Sequence, residues 1–250
     1  MSADSKISYL EDPAIESSKT TMTNLLHIDA SVRSFHGEGE KHSSISKMLG
    51  QHFITHWKKQ HPHDPVMHRD LGEHTPNFVS QKWLEAVFTP EAKRTEAHKM
   101  ILVESDQYIH EVATADIILI TSPMYNYGMP ASLKAWFDQI IRINKTFTFD
   151  LTRGDFPLAP IFSNKTLILL NSCGEFGFGE GEIREHMNHL GPHIKVLSRY
   201  LGVNQFFEIR SEYQEFGDQR HHDSIDAAKH KIGQLVLELS QNQSETMLTA

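Results

Sequence analysis

The 250-residue chain has one cysteine, no apolar run of membrane-spanning length and a shortage of positive charge. A single thiol cannot close an internal disulfide, and the N-terminus lacks the basic-then-apolar pattern of a secretory signal. A reducing compartment, the cytoplasm, is therefore expected. The longest apolar stretches, such as the runs from Ile117 to Ile120 and from Leu167 to Leu170, fall far short of the roughly 18 to 20 residues that a bilayer crossing needs. They suit buried strands, and no membrane partner is expected. With 24 Lys+Arg against 32 Asp+Glu the formal net charge is -8, and no segment gathers the cations that binding to a phosphate backbone requires. Nucleic acid is excluded as the main partner. The 17 histidines shift that balance only at acid pH. No Pro/Gly/Ser-rich linker and no internal repeat divides the chain. One domain is expected over 24–240, with a flexible leader over 1–23 and a fraying tail over 241–250.

Within that domain, short apolar runs alternate with segments of helical period, the pattern of a mostly parallel sheet covered by helices on both faces. The spacing predicts five strands: Leu25 to Ala30, Pro65 to Leu71, Asp116 to Ser122, Thr166 to Ser172 and Asn204 to Arg210. Ile45, Met48, Leu49, Phe53 and Trp57 recur at three-and-four spacing after the first strand, and Leu133, Trp136, Phe137, Ile140 and Ile141 do so after the third. Two further helical patterns between Asn77 and Val112 are broken near Thr89 and Pro90, where proline opposes a continuous helix. Helices near Glu182 to Leu201 and Ser224 to Leu239 complete a doubly wound α/β layout. In such sheets ligands bind beyond the carboxyl ends of the strands, at a switch point. The loops after strands one, three and four are therefore the candidate site.

Loop one runs from Asp29 through Ser31, Arg33 and Ser34, then an insertion, to His42, Ser43, Ser44, Ile45 and Ser46. Ser31, Ser44 and Ser46 at a helix start can form a phosphate cradle without a lysine; as plain N-caps and loop polars they need no ligand. The segment Gly37 to Ser43 departs from a Walker sequence and carries two glutamates, which disfavours a nucleoside triphosphate. The ordered three-glycine turn of a Rossmann dinucleotide site is missing as well. Loop two, Ser122 to Pro130, offers two tyrosines, two methionines and an asparagine. That is a wall suited to a flat heteroaromatic ring, or a packed turn covering the sheet. Loop three, Asn171 to Gly181, has four glycines within eight positions, so its backbone can approach a ring edge closely or form a mobile lid. Hydroxyls for a phosphate, an aromatic loop for a ring and a glycine loop for its polar edge together match flavin mononucleotide, FMN.

The run Pro123, Met124, Tyr125, Asn126, Tyr127, followed by Pro130, Leu133, Lys134, Phe137, Asp138 and Arg142, then Thr146 and Phe147, closely resembles the signature of the FMN-dependent NADH-azoreductases, which also act as NADH:quinone reductases. The likeness extends from about Leu25 to Leu239 and takes in Arg69, Asp70 and Leu71, and Leu201 and Gly202. It implies a flavodoxin-like sheet in the order 2-1-3-4-5. It also implies ping-pong hydride transfer from NADH or NADPH through FMN to quinones or azo compounds, and a homodimer whose subunits both wall the site. Carried over by position, the phosphate serines are Ser31, Ser44 and Ser46, and the first ring loop is Met124, Tyr125, Asn126 and Tyr127. The second ring loop is Ser172, Cys173, Gly174 and Glu175. The family's usual Ser-Arg-Gly-Gly is altered there at Cys173 and Glu175, and Ile45 stands where a polar residue commonly separates the two serines. Phe147, Phe176 and Phe178 are expected to shape the acceptor pocket. The cofactor carries the chemistry, so no catalytic side chain is expected.

Three other readings compete. Cys173 after a strand suggests a cysteine hydrolase, although a lone cysteine is more often a buried packer and no Gly-x-Ser-x-Gly elbow is present. Glu185, His186, His189 and His193 have helix-compatible ligand spacing, but Gly191 and Pro192 interrupt the helix and no metal is expected. A non-catalytic flavin-binding electron carrier is the third, opposed by the long insertion between strands two and three.

Overall fold

The computed structural model describes residues 22–37, 40 and 42–249, with side chains as far as residue 242. Apart from Met22 and Thr23, the expected leader lies outside the described residues. In chain order the elements are β1 (Leu25–Asp29), α1 (Ile45–Gln60), β2 (Val66–Asp70), α2 (Gln81–Phe88), α3 (Glu96–Thr114), β3 (Ile117–Pro123) and α4 (Ala131–Ile140), then β4 (Phe147–Phe149), β5 (Leu158–Pro160), β6 (Lys165–Ser172), α5 (Gly191–Ser198), β7 (Val203–Ser211) and α6 (Gln219–Thr249). Five strands pair in parallel in the order β2-β1-β3-β6-β7, the expected 2-1-3-4-5 arrangement of main strands.

Strand alternation sorts the core into two layers. Leu26, Ile28, Ile118, Ile120, Leu167 and Leu169 face α3, α4 and α5, where Trp136, Phe137, Ile140 and Ile194 close over them. Leu25, Ile117, Leu119, Ile168 and Leu170 face α1 and α6 and meet Leu49, Phe53, Trp57, Ile232 and Val236. Burial on both sides explains why β3 and β6 read as unbroken apolar runs. Ser44, Ser80 and Thr95 cap α1, α2 and α3, each accepting a backbone N–H with its side-chain oxygen. The break at Pro90 falls between α2 and α3 as expected.

Two differences from the sequence reading have physical causes. The helix expected over Glu182 to Leu201 reduces to α5 flanked by single 3-10 turns at Glu185–Met187 and Arg199–Leu201. The Asn188 side chain accepts the N–H groups of Leu190 and Gly191 and so starts a fresh helix, with Pro192 in its first turn. An antiparallel hairpin, β4–β5, fills the crossover before β6; its three-residue strands are too short to announce themselves by period. The last helix continues past Gln241 to Thr249. Among the described residues, no helix is long and apolar enough to cross a membrane.

Candidate functional site

The carboxyl ends of β1, β3 and β6 are adjacent in the sheet, which brings the three expected loops together. Loop one leaves β1 at Ala30, whose N–H donates to the Thr121 carbonyl of β3 (2.9 Å), and it returns where the Ser44 N–H donates to the Ser34 carbonyl (2.9 Å). Ser31, Ser44 and Ser46 are all buried. The Ser44 hydroxyl caps α1 by accepting the Lys47 N–H (3.3 Å) and lies 3.3 Å from the Ser46 hydroxyl. The Ile45 and Ser46 amides of the first turn have no intrahelical acceptors. Ser31 Oγ accepts the Arg33 N–H (3.1 Å), and a side chain in place of Gly72 would collide with the Ser31 carbonyl. A cavity of about 360 Å³ adjoins this helix start, bordered by Arg33, His42, Ser44, Gln214, His221 and Lys229. Hydroxyls, free amides and the positive end of the α1 dipole form a donor set for a monoester phosphate.

Loop two is a tight turn. Tyr125 and Gly128 exchange both backbone hydrogen bonds at 3.0 Å, and the two residues between them lie in the left-handed region, Asn126 at φ 48° and Tyr127 at φ 66°. Asparagine adopts that conformation readily, whereas a tyrosine there is unusual and costs about 1 to 2 kcal/mol. It is held from both ends: the Tyr127 carbonyl accepts the His189 N–H (2.9 Å), and the Tyr127 hydroxyl donates to Glu175 Oε2 (3.0 Å). The Glu175 carboxylate raises the Tyr127 phenol above its ordinary pKa. The Met124 N–H donates to the Ser172 carbonyl (2.8 Å), which fixes loop two to the start of loop three.

Loop three departs from the family pattern at Cys173 and Glu175, and both have clear local roles. The Cys173 N–H donates to the Ser211 carbonyl (2.8 Å), and its thiol lies 3.6 Å from Asn171 Oδ1 rather than against an imidazole. Burial, at 1% exposure, pushes the thiol pKa up strongly. A neutral, enclosed thiol without a base is no nucleophile, which removes the structural basis of the hydrolase reading. Glu175 bridges Tyr127 and Arg184 (3.3 Å), and Arg184 also lies over the Phe176 ring, 4.6 Å from its centroid. A guanidinium thus reaches loop three from a different sequence position than the usual arginine. The Gly174 carbonyl accepts the Glu215 N–H (3.0 Å), and a Cβ there would meet the Glu215 side chain at 2.8 Å.

The three phenylalanines expected to form a pocket occupy different environments. Phe178 is a core residue at 2% exposure, and Phe176 is stacked on Tyr213 (4.5 Å between centroids) beneath Arg184. Phe147 belongs to the β4–β5 hairpin, packs edge-on against Tyr200, and borders a separate cavity of about 550 Å³ with Trp83, Phe88 and Arg142. The ligand spacing of Glu185, His186, His189 and His193 dissolves because a 3-10 turn and a new helix replace the continuous one. Sequence reasoning missed the tie between Tyr127, Glu175 and Arg184, whose members lie on three separate segments.

A family model for the flavodoxin-like fold matches residues 23–236. The FMN-dependent NADH:quinone oxidoreductase 2 of Idiomarina loihiensis is 55% identical over 227 residues, spanning 91% of this chain and 95% of that protein. Its counterpart in Colwellia psychrerythraea is 56% identical over 218 residues, spanning 87% of this chain and all of that protein. Among solved structures, an FMN-dependent NADH-azoreductase from Bacillus anthracis in complex with FMN superimposes with a TM-score of 0.74 at 15% identity, covering 88% of this chain and 100% of that one. That last likeness is one of fold.

Proposed function

The chain belongs to the FMN-dependent NADH:quinone oxidoreductase family of flavodoxin-like proteins, and from that premise we propose that its loops after β1, β3 and β6 form one FMN site through which NADH, or NADPH, reduces quinones or azo compounds in the cytoplasm. The observation that carries the site assignment is the turn from Tyr125 to Gly128. Its outer residues spend their backbone groups on each other, so the amides of Asn126 and Tyr127 stay available at the carboxyl end of a central strand. The donor set around it fits the cofactor: hydroxyls and helix amides suit a phosphate, and an aromatic turn beside a glycine-rich loop suits a flat ring.

When bound, FMN accepts hydride from the nicotinamide donor and passes electrons on to the acceptor. The protein's part is to bind, orient and shield. Ser31, Ser44 and Ser46, with the first-turn amides of α1, hold the phosphate. Met124, Tyr125, Asn126 and Tyr127 would line one side of the ring, and the segment Ser172, Cys173, Gly174 and Glu175 would address its polar edge, where the N–H groups of Gly174 and Glu175, rather than that of Cys173, would stabilise negative charge. The Tyr127–Glu175 hydrogen bond keeps the two ring loops at a set separation. Phe176, stacked on Tyr213, and Phe178, beside Tyr127, would exclude water from one flank. Phe147 completes the acceptor pocket from a second copy of the chain: the hairpin exposes Phe149, Leu151 and Phe156, an apolar surface suited to a homodimer.

The test is spectroscopic. Purified protein, alone or after FMN addition and gel filtration, should show flavin absorbance that bleaches with NADH and returns with a benzoquinone; a colourless protein that retains no FMN sinks the proposal. Replacing Ser44 and Ser46 together by Ala should weaken FMN retention by about tenfold or more, the scale of one lost charge-assisted hydrogen bond. Because Ser44 also caps α1, at about 1 kcal/mol, Ser46→Ala alone separates flavin affinity from helix stability. Unchanged affinity in the double variant would remove these serines from the site.

A further inference from the structure

On the α1 side of the sheet, below loop one, three potential ligands converge from two strands. The β1–β2 register sets His27 beside His68 and Asp29 beside Asp70, and alternation turns all four toward α1. His68 Nε2 lies 2.8 Å from Asp29 Oδ2, His27 Nε2 lies 3.2 Å from Asp29 Oδ1, and one ligand atom from each residue falls within 4.8 Å of the other two. The imidazole planes are tilted, with centroids 4.8 Å apart. We infer that His27, Asp29 and His68 form a binding site for a divalent first-row transition ion of the zinc class.

Three observations support the site. His27 is only 7% exposed, and its Nε2 has no hydrogen-bond partner: at 3.2 Å from Asp29 Oδ1 it is out of line, and that oxygen already accepts the Thr121 hydroxyl. A buried ring nitrogen aimed at a carboxylate without a bond is costly, and a shared metal ion would satisfy it. Space is kept for Thr121 and for that ring, since a Cβ on Gly50 of α1 would stand 2.5 Å from Thr121 Cγ2 and 2.7 Å from His27 Nε2, although glycine inside a helix is less favourable than alanine. Bonds of about 2.1 Å in tetrahedral geometry place ligand atoms roughly 3.4 Å apart, and the ligand atoms here, all within 4.8 Å of one another, reach that spacing by small side-chain adjustments.

Charge and access agree with this. The surrounding cavity, about 420 Å³, is lined by Asp29, Asp70 and Glu73 against one ammonium, Lys47. Carboxylates thus outnumber ammonium groups around the cluster, and the two imidazoles, with the Thr121 hydroxyl, are the other polar side chains facing Asp29. Lys47 is engaged by Asp70 at 2.5 Å, which leaves Asp29 to the histidines. Half-exposed His68 provides the entry path. Two imidazoles and one carboxylate select zinc, nickel, cobalt or copper over magnesium or calcium. None of the three residues is among those assigned to the flavin, so the fates of the two assignments are separable.

Untagged protein, stripped with a chelator and dialysed, is titrated with Zn²⁺ by calorimetry, and Co²⁺ loading is followed by visible absorption. Binding of about one equivalent is expected, with proton release, unaffected by millimolar Mg²⁺. His68→Ala should raise the Kd by about tenfold or more and abolish the cobalt bands. His56→Ala, in the surface pair His52 and His56, should leave both unchanged and so controls for a histidine-rich surface. Far-UV circular dichroism verifies folding of each variant, and His27→Gln gives the same readout should His68→Ala fail to fold. No uptake after stripping, or a Kd unmoved by His68→Ala or His27→Gln, overturns the inference.

Discussion

The two sides of β1 differ sharply in what they present to the helices that cover them. Toward α3 and α4 the strand presents Leu26 and Ile28, with Ala30 just beyond it, all enclosed in the larger apolar cluster. Toward α1 it presents Leu25, then His27 and Asp29, so that side turns polar toward the carboxyl end. One side is built to hold the fold together. The other gives up apolar contact where loop one begins, and accepts a buried anion and an unsatisfied imidazole beside it. Stability and chemistry are thus divided by residue parity along a single five-residue strand.

Substitutions on adjacent residues of β1 put that division to the test. Ile28→Ala should cost about 2 to 5 kcal/mol of unfolding free energy, read as a lower urea midpoint at constant slope; a cost below 1 kcal/mol would mean that the apolar side is not what carries stability. His27→Leu, in chelator-treated protein, should change stability by less than about 1.5 kcal/mol, because it keeps the volume and removes an unpaired nitrogen. A loss as large as that of Ile28→Ala would erase the contrast. The smallest effect is expected at Cys173. Its thiol pKa is raised by burial from the ordinary 9.0, so the folded state keeps a proton that the unfolded state releases. Stability therefore falls as pH rises above about 9. The urea midpoint of Cys173→Ser should fall less steeply over that range, while flavin reduction stays at the wild-type rate.

The five main strands were legible in the sequence to within a residue or two: β1, β3 and β6 are short buried runs, and the more polar β2 and β7 fall at the spacing that a sheet alternating with helices sets. The helix from Ile45 and the break at Pro90 were legible for similar reasons: amphipathic spacing and a residue that cannot donate. What could not be read has physical causes in each case. β4 and β5 have three residues each, too few for alternation to show. The segment before α5 has helical spacing in its histidines, but Asn188 captures two amides and ends the run. Ser44 and Ser46 could be placed at a helix start from sequence, and the structure sets their hydroxyls side by side. The cluster of His27, Asp29 and His68 was invisible because it depends on which residues of β1 and β2 stand opposite each other. Alternation puts His27 and Asp29 on one side; only the register brings in His68 from 39 positions away.

The left-handed pair Asn126 and Tyr127 constrains how this chain can drift over generations. A β-branched residue at either position would add a second γ branch to a backbone that already crowds Cβ against the following carbonyl, and so valine, isoleucine and threonine are closed there before any question of ligand arises. Glycine, asparagine and aspartate remain open. A tyrosine persists at the second position where its ring and hydroxyl repay the awkward backbone, and once the Glu175 tether is lost its best remaining exit is toward glycine.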